Sequence, residues 1–393
     1  MMEPIIKSIL DNDQYKFTMM NFILELFPNT IVEYRFKNRG THRFNKEFIT
    51  ELQKQINNLA NLKLTEGEYI YLKENFTYLT PGYIEYLKNF RFNPSNIFIK
   101  LTKDNNLELK IKGKWVDTVL YEVPLMAIIS QLFFNIIDTK WNYKEQEDKA
   151  NEKIKKLSKA ECSFADFGTR RRRSFETQDL VNKIFTNYGK ENNSTFIGTS
   201  NIYFAKKYKI KGIGTYAHEI PQAMQALESI SHSNYYTMQN WIKLFNTELG
   251  IALTDTITTD MFLNNFNKRF TILFSGVRHD SGCPFKFTDK IINHYKKFNI
   301  DPLSKFIIFS DGLNVDKAIE IKKYCKDKIK CSFGIGTFLS NDFTNSHPLN
   351  IVIKLWSVNN FPIVKLSDNK GKENGQEDAI KVVKWIVKNQ LGR

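Results

Sequence analysis

Lys305-Phe306-Ile307-Ile308-Phe309 runs directly into Ser310-Asp311-Gly312-Leu313-Asn314, so a short apolar segment stops at a polar turn and a helical pattern follows. Four or five apolar residues closed by Asp-Gly suit a buried strand. The same grammar recurs three times. Thr195–Ile197 ends at GTS, Phe270–Phe274 ends at SGVRHDSG, and Lys330–Phe333 ends at GIGT. Strands that alternate with helices mark a parallel α/β barrel or open sheet. In a barrel the loops after the strands open on one face, so their polar residues are expected to converge on one site.

The chain ends are different in character. Tyr15–Phe27 is apolar at helical spacing, Ile31–Phe36 alternates like a strand, and residues 45–92 look helical with a break at Pro81-Gly82. Ile97–Lys112 alternates across Asp104-Asn105-Asn106 and reads as a hairpin. Leu349–Trp356 and Phe361–Leu366 flank Val358-Asn359-Asn360 as a second hairpin, Ser367–Glu377 is a polar loop, and Asp378–Leu391 is an amphipathic helix. We therefore expect a smaller α+β domain of residues 1–125 completed by 349–393, and an α/β domain of residues 126–348.

The chain has 393 residues, 42% of them hydrophobic, which supports a large core and argues against disorder. Its N-terminus lacks a basic start followed by an apolar run, so no secretory signal is expected. Val119–Ile137 is broken by Glu122, Pro124, Gln131 and Asn135 and reads as a buried helix rather than a membrane span. The four cysteines form no C-x-x-C pair, which excludes a zinc ribbon and fits a reducing, cytoplasmic setting. The net charge of +15 fits nucleic acid, a substrate with several phosphates, or simply a Lys- and Asn-rich coding bias. The lysines are scattered, which speaks against a dedicated nucleic-acid stripe.

Several loops carry chemistry. GTYAHEIPQAM, Gly214–Met224, puts His218 after a Gly-x-Gly-Thr turn at the mouth of a helix, with Thr215 and Glu219 beside it. Glycine turns and helix N-termini offer N–H donors to anions, so His218 is placed to meet phosphate; the plainer alternative is a helix cap. SGVRHDSG brings Arg278, a bidentate reader of carboxylate or phosphate, and Asp280 onto one turn, with His279 between them facing outward. The plainer alternative there is a local Arg–Asp pair. Asp311 and Gly312 lie in SDGLN, which alone is a common strand-end turn, and Gly334, Gly336 and Thr337 in GIGTFLSND have the composition of a phosphate cradle that is not a Walker A loop; the plainer alternative is an ordinary βα turn. FADFGTRRRRS holds four consecutive arginines; on a helix they could not share one ligand, and Arg170 is the best placed. Phe167 could stack on an aromatic ring, although a core position is its commoner fate. DNDQYKFTM, Asp11–Met19, carries Tyr15 in a polar cluster.

Together and in this order, DNDQYKFTM, YEVPLMAIIS, FADFGTRRRRS, FIGTSN, GTYAHE, SGVRHDSG, FSDGLN and FGIGTFLSND closely resemble the nicotinate phosphoribosyltransferase family over nearly the whole length. The resemblance implies an irregular α/β barrel of the type II phosphoribosyltransferase kind, with a smaller α+β domain built from both termini. It implies condensation of nicotinate with 5-phosphoribosyl-1-pyrophosphate, coupled to ATP hydrolysis, with Mg²⁺ and a homodimer. His218 would be the phosphoryl acceptor, Thr215 and Arg278 nicotinate contacts, and Tyr15 the cover of the pyridine ring, a residue the family often takes from a partner subunit. Gly334, Gly336 and Thr337 would cradle the 5′-phosphate. Asp280, Asp311 and Gly312 would contact ribose and phosphate, with Arg170 and Phe167 lining the base and pyrophosphate end. No metal-ligand set is assigned within the chain.

The nearest alternatives are nicotinamide as the base, since residue type at Arg278 decides weakly, and quinolinate, whose enzymes are usually shorter. A basic nucleic-acid-binding protein leaves the glycine loops unexplained. A degraded enzyme is hard to square with intact loops.

Overall fold

The computed structural model describes residues 2–369 and 373–392, and its contacts divide the chain into two compact units. The first holds residues 1–159, 164–214 and 335–354; the second holds 160–163, 215–334 and 355–393. This division differs from the boundaries expected at 125 and 348. The long apolar helix and the segment around the arginine run stay with the N-terminal elements.

In the first unit the helix Gln14–Leu26 precedes strand β1 (Ile31–Asn38). The helices Lys46–Leu59, Glu66–Asn75 and Pro81–Asn89 fill the region read as helical. Their starts are fixed by Asn45, Thr65 and Thr80, whose side chains accept from the first-turn backbone. Thr65 and Glu68 form a reciprocal capping box. β2 (Ile97–Leu101) and β3 (Leu107–Lys114) make the expected hairpin, and β3 pairs antiparallel with β1 from Ile31↔Lys114 to Arg35↔Lys110. The helix Glu122–Ile136 follows, with nearly every side chain buried. The window Trp115–Ile136 is long and apolar enough to cross a membrane but is 83% buried within the protein, as a core helix is. β4 (Phe164–Asp166) and β5 (Phe196–Thr199) pair in parallel.

The second unit is built on four strands. β6 (Ile251–Leu253), β7 (Gly276–His279), β8 (Phe306–Phe309) and β9 (Lys330–Ile335) lie side by side in chain order, all parallel, with β9 ending at the unit boundary. The strand expected at Phe270–Phe274 is instead part of a helix, Lys268–Leu273. Asn267 caps it by accepting from the Phe270 N–H, and a short apolar run carries no period that would separate strand from helix. The strand lies inside the motif, at Gly276–His279. Gly276 has no room for a side chain, because a Cβ there would collide with the Phe306 carbonyl on β8.

β10 (Ile351–Val358) and β11 (Phe361–Pro362) meet through Asn359 and Asn360, both at positive φ (47° and 66°), the conformation a two-residue hairpin turn demands. The polar loop expected at Ser367–Glu377 falls partly outside the described residues. The helix Glu377–Gln390 packs Val383 against Ile257, Met261, Val364 and Leu366, anchoring the C-terminal segment to the second unit. All four cysteines are free thiols.

Candidate active site

Parallel register decides which loop residues meet. Leu253 pairs with Arg278 and His279 with Phe309, so Asp255, Asp280 and Ser310 stand in line just beyond the strand ends. Alternation along β7 sends Arg278 and Asp280 to one side and His279 to the other. His279 is accordingly 2% exposed and packed on Phe287 and Phe309, with ring centroids 4.9 and 5.5 Å away. The expectation that it faces outward fails because the helix Pro284–Lys297, which carries Phe287, covers that side of the strand.

His218 occupies the N-cap position of the helix Glu219–Leu227, but its side chain makes no capping bond. Its Nε2 lies 2.7 Å from Asp255 Oδ1 and 3.5 Å from Asp280 Oδ2. Asp255 is fully buried, and its other oxygen receives the Ser281 hydroxyl at 2.6 Å and the Lys365 ammonium at 3.2 Å. Burial alone would push the Asp255 carboxyl up. His218, Lys365 and the Ser281 hydroxyl outweigh it and hold the carboxyl well below its ordinary range. Burial, and after it the charge of Lys365, lowers the His218 imidazole to about 4. At neutral pH the ring is therefore neutral. Because ionised Asp255 can only accept, Nε2 carries the proton and Nδ1 keeps its lone pair.

Asp280 accepts from the Ser310 hydroxyl at 2.8 Å. Burial pushes its carboxyl up, but His218 and Arg278 hold it below its usual value. Arg278 is half-buried, forms no ion pair among the described residues, and has a buried Nε without a partner. A closed Arg–Asp pair is thus not what the loop builds. Gly312 has φ +54°, the left-handed conformation that its Asp-Gly turn requires. Thr215 lies three residues before His218, half-buried.

His218, Asp255 and Asp280 present ligand atoms within 4.8 Å of one another. The set does not suit Mg²⁺, which prefers oxygen donors and near-octahedral space. One donor is an imidazole nitrogen, and both Asp255 oxygens are already engaged by His218, Ser281 and Lys365.

The first unit gathers the other expected residues. Gly214, just before Thr215, meets the start of the helix Gln14–Leu26; a Cβ there would lie 2.9 Å from the Tyr15 backbone nitrogen. Tyr15 itself is 8% exposed. Lys16, fully buried, pairs with Glu122 at 2.8 Å. Arg170 reaches Glu122 at 3.4 Å and Asp13 at 3.9 Å while its side chain stays 41% exposed. Burial pushes the Glu122 carboxyl up, but Lys16, Arg170 and Lys354 bring it down to about 2, so it is a fixed anion among three cations. Asp13 moves the other way. Burial raises its carboxyl against the pull of Arg170 and the Ser200 hydrogen bond.

The arginine run is not a helix but a short 3₁₀ turn that ends in extended backbone. Arg172 is fully buried in a bidentate pair with Asp11 at 2.6–2.7 Å. Arg173, also buried, lies 3.5 Å above the Phe134 ring and bonds Asn341 and Ser346. These two are structural, and they remove half of a supposed nucleic-acid patch. Phe167 is half-buried, its N–H bonded to the Ile335 carbonyl at 2.8 Å. Gly336 passes so close that a Cβ would meet the Phe167 oxygen at 3.2 Å, and this sets Phe167 beside Gly336 and Thr337. Gly334 ends β9's share of the second unit.

Two residues with evident parts in the centre, Asp255 and Lys365, were not foreseen. Asp255 follows a three-residue strand too short to show a period, although strand-then-Asp is the same signal as in SDGLN. Lys365 sits more than a hundred residues from the loops it serves, and nothing local marks it.

Residues 162–390 match the nicotinate phosphoribosyltransferase (NAPRTase) family, and residues 10–130 match that family's N-terminal domain. The chain belongs to the nicotinate phosphoribosyltransferase family. It is 48% identical over 402 residues to the nicotinate phosphoribosyltransferase of Methanosarcina acetivorans, covering 98% of each chain. It is 41% identical over 410 residues to that of Saccharomyces cerevisiae, covering 98% of this chain and 95% of the other. Among solved structures, nicotinate phosphoribosyltransferase from Porphyromonas gingivalis superimposes with a TM-score of 0.94 at 38% identity, over 99% of this chain and 100% of the other. The α/β fold expected from the loops is therefore that of the family.

Proposed function

We propose that this chain condenses nicotinate with 5-phosphoribosyl-1-pyrophosphate to nicotinate mononucleotide and pyrophosphate, and couples the reaction to ATP hydrolysis through phosphorylation of His218. The observation that carries the proposal is the neutral imidazole of His218, fixed through Nε2 by Asp255 and left with a nucleophilic Nδ1. In the phosphorylation step the Nδ1 lone pair bonds the γ-phosphorus. The bond from phosphorus to the β,γ-bridging oxygen breaks, and ADP leaves with that electron pair.

In the condensation the anomeric carbon passes through an oxocarbenium-like state as pyrophosphate departs and the pyridine nitrogen adds. The protein's work is to position the reactants and balance charge. Arg278, with its unpartnered buried Nε, is the reader of the nicotinate carboxylate, and Thr215 supports it. Tyr15 covers the ring. Arg170 and Phe167 line the base and pyrophosphate end. Asp280, Asp311 and Gly312 take ribose and phosphate, and Gly334, Gly336 and Thr337 hold the 5′-phosphate. Mg²⁺ arrives with the substrate phosphates rather than in a cage of protein ligands. A homodimer in the cytoplasm, with Tyr15 serving the neighbouring site, completes the proposal.

The test is product formation from phosphoribosyl pyrophosphate and Mg²⁺ with nicotinate or nicotinamide, each with and without ATP. Nicotinate mononucleotide formed preferentially and stimulated by ATP supports the reading. Preferential use of nicotinamide would remove Arg278 as a carboxylate reader.

A further inference from the structure

The C-terminal segment 364–369 is fastened to the loops around His218 at several points. Gln225, on the helix that His218 opens, exchanges two hydrogen bonds with the Val364 backbone, at 2.7 and 3.0 Å. The Leu366 N–H reaches the Thr256 carbonyl at 3.0 Å, and the Asp368 N–H reaches the Ser281 hydroxyl at 3.0 Å. The Gly282 N–H reaches Asn369 Oδ1 at 3.1 Å. Between these ties Lys365 is held by reciprocal backbone bonds with Asn374, both 2.8 Å. Its side chain, 11% exposed, ends 3.2 Å from Asp255 Oδ2. A lysine this buried and this constrained has a defined partner, and that partner is the carboxylate that holds His218.

We propose that Lys365 is a positioning residue for phosphoryl transfer to His218. Its ammonium balances the buried Asp255 carboxylate, so that Asp255 orients the imidazole without drawing a second proton onto it. The inference rests on the phosphohistidine reading above.

The charges facing His218 are few. Asp255 comes from the loop after β6, and Asp280, with Arg278 behind it, from β7. Lys365 and Asp368 come from the C-terminal segment, and Glu219 follows on His218's own helix. Without Lys365, the two carboxylates in contact with the ring, Asp255 and Asp280, would keep only Arg278 as a nearby cation. A buried carboxylate lacking a counter-charge stabilises a proton on its neighbour. The imidazolium has no lone pair at Nδ1 and cannot attack phosphorus. The depressed basicity of His218, to which burial contributes most and Lys365 next, agrees with this arrangement.

The experiment follows phosphohistidine formation from ATP labelled in the γ-phosphate, between about pH 6 and 9, in wild type, Lys365→Met, Lys365→Arg and the double variant Asp255→Asn/Lys365→Met. Lys365→Met is expected to be slowed roughly tenfold or more at about pH 6.5 relative to about pH 8.5. Wild type and Lys365→Arg are expected to vary less than about twofold over the same range. The double variant, which removes both charges, is expected to lose the acid sensitivity. A uniform loss at every pH in Lys365→Met, or acid sensitivity that persists in the double variant, would show a merely structural lysine and overturn the proposal. If wild type forms no phosphohistidine, the functional reading fails. The His218 ring titration, followed by nitrogen NMR in wild type and Lys365→Met, still decides the role of Lys365. An upward shift of about three pH units or more, the size that a tenfold loss at about pH 6.5 requires, upholds it, and a smaller shift overturns it.

Discussion

His218 Nε2 and Asp255 Oδ1 lie 2.7 Å apart inside a site where both side chains are almost wholly removed from solvent. This bond fixes the tautomer and the direction of the ring. Replacing Asp255 with alanine is expected to cost about two orders of magnitude in ATP-stimulated rate, by analogy with carboxylates that orient catalytic histidines. It also strands the Lys365 ammonium, so unfolding free energy is expected to fall by about 3 kcal/mol. Steady-state assays with and without ATP, alongside denaturant melts, separate the two effects.

Acid is expected to destabilise the protein earlier than its carboxylates alone would require. His218 titrates near 4 when folded, below the ordinary histidine value of 6.5. Between those limits the unfolded chain binds a proton that the folded chain refuses, so stability is present above about pH 6.5 and is lost as pH falls toward 4. The single-site contribution is on the order of 3 kcal/mol. Denaturant midpoints measured at several pH values, compared with His218→Gln, should show a shallower acid dependence in the variant.

The arginine run is expected to divide by function. Asp11→Ala breaks a fully buried bidentate pair with Arg172 and should destabilise by about 3–5 kcal/mol. Arg170→Ala, whose side chain is 41% exposed, should change stability by about 1 kcal/mol or less while raising the KM for phosphoribosyl pyrophosphate. Melts and initial rates on the two variants check the division.

Gly214→Ala is expected to disturb Tyr15 directly. The new methyl would sit 2.9 Å from the Tyr15 nitrogen and 3.2 Å from its Cβ, against backbone that cannot swing aside. A loss of about 1–3 kcal/mol and a raised KM for nicotinate are expected, readable by melts and by rates across nicotinate concentrations.

Tyr15→Ala and His218→Ala chains mixed together test whether Tyr15 serves a neighbouring site. Recovery of activity is the expected outcome under the proposed sharing; no recovery would place each site within one chain and contradict it.

The strands β5, β8 and β9, both hairpins and the terminal helices were legible because their apolar period or turn chemistry is local. Asn359-Asn360, for example, supplies the two positive-φ residues its turn needs. Lys268–Leu273 misled because six residues cannot distinguish strand from helix; the Asn267 cap was the usable clue. The structural parts of Arg172 and Arg173 were not legible, because a basic run gives no sign of a distant Asp11 or a Phe134 ring. Around His218 the residue types were visible, but Asp255 and Lys365 joined it only through parallel register and a return of the C-terminal segment.

The most direct test is to incubate wild type and His218→Ala with ATP labelled in the γ-phosphate and locate the label by mass spectrometry under neutral conditions. Acid-labile phosphate on His218 in wild type, absent from the variant together with ATP stimulation of nicotinate mononucleotide formation, is the expected result. Unlabelled His218 in a protein that still shows ATP-stimulated synthesis would contradict it.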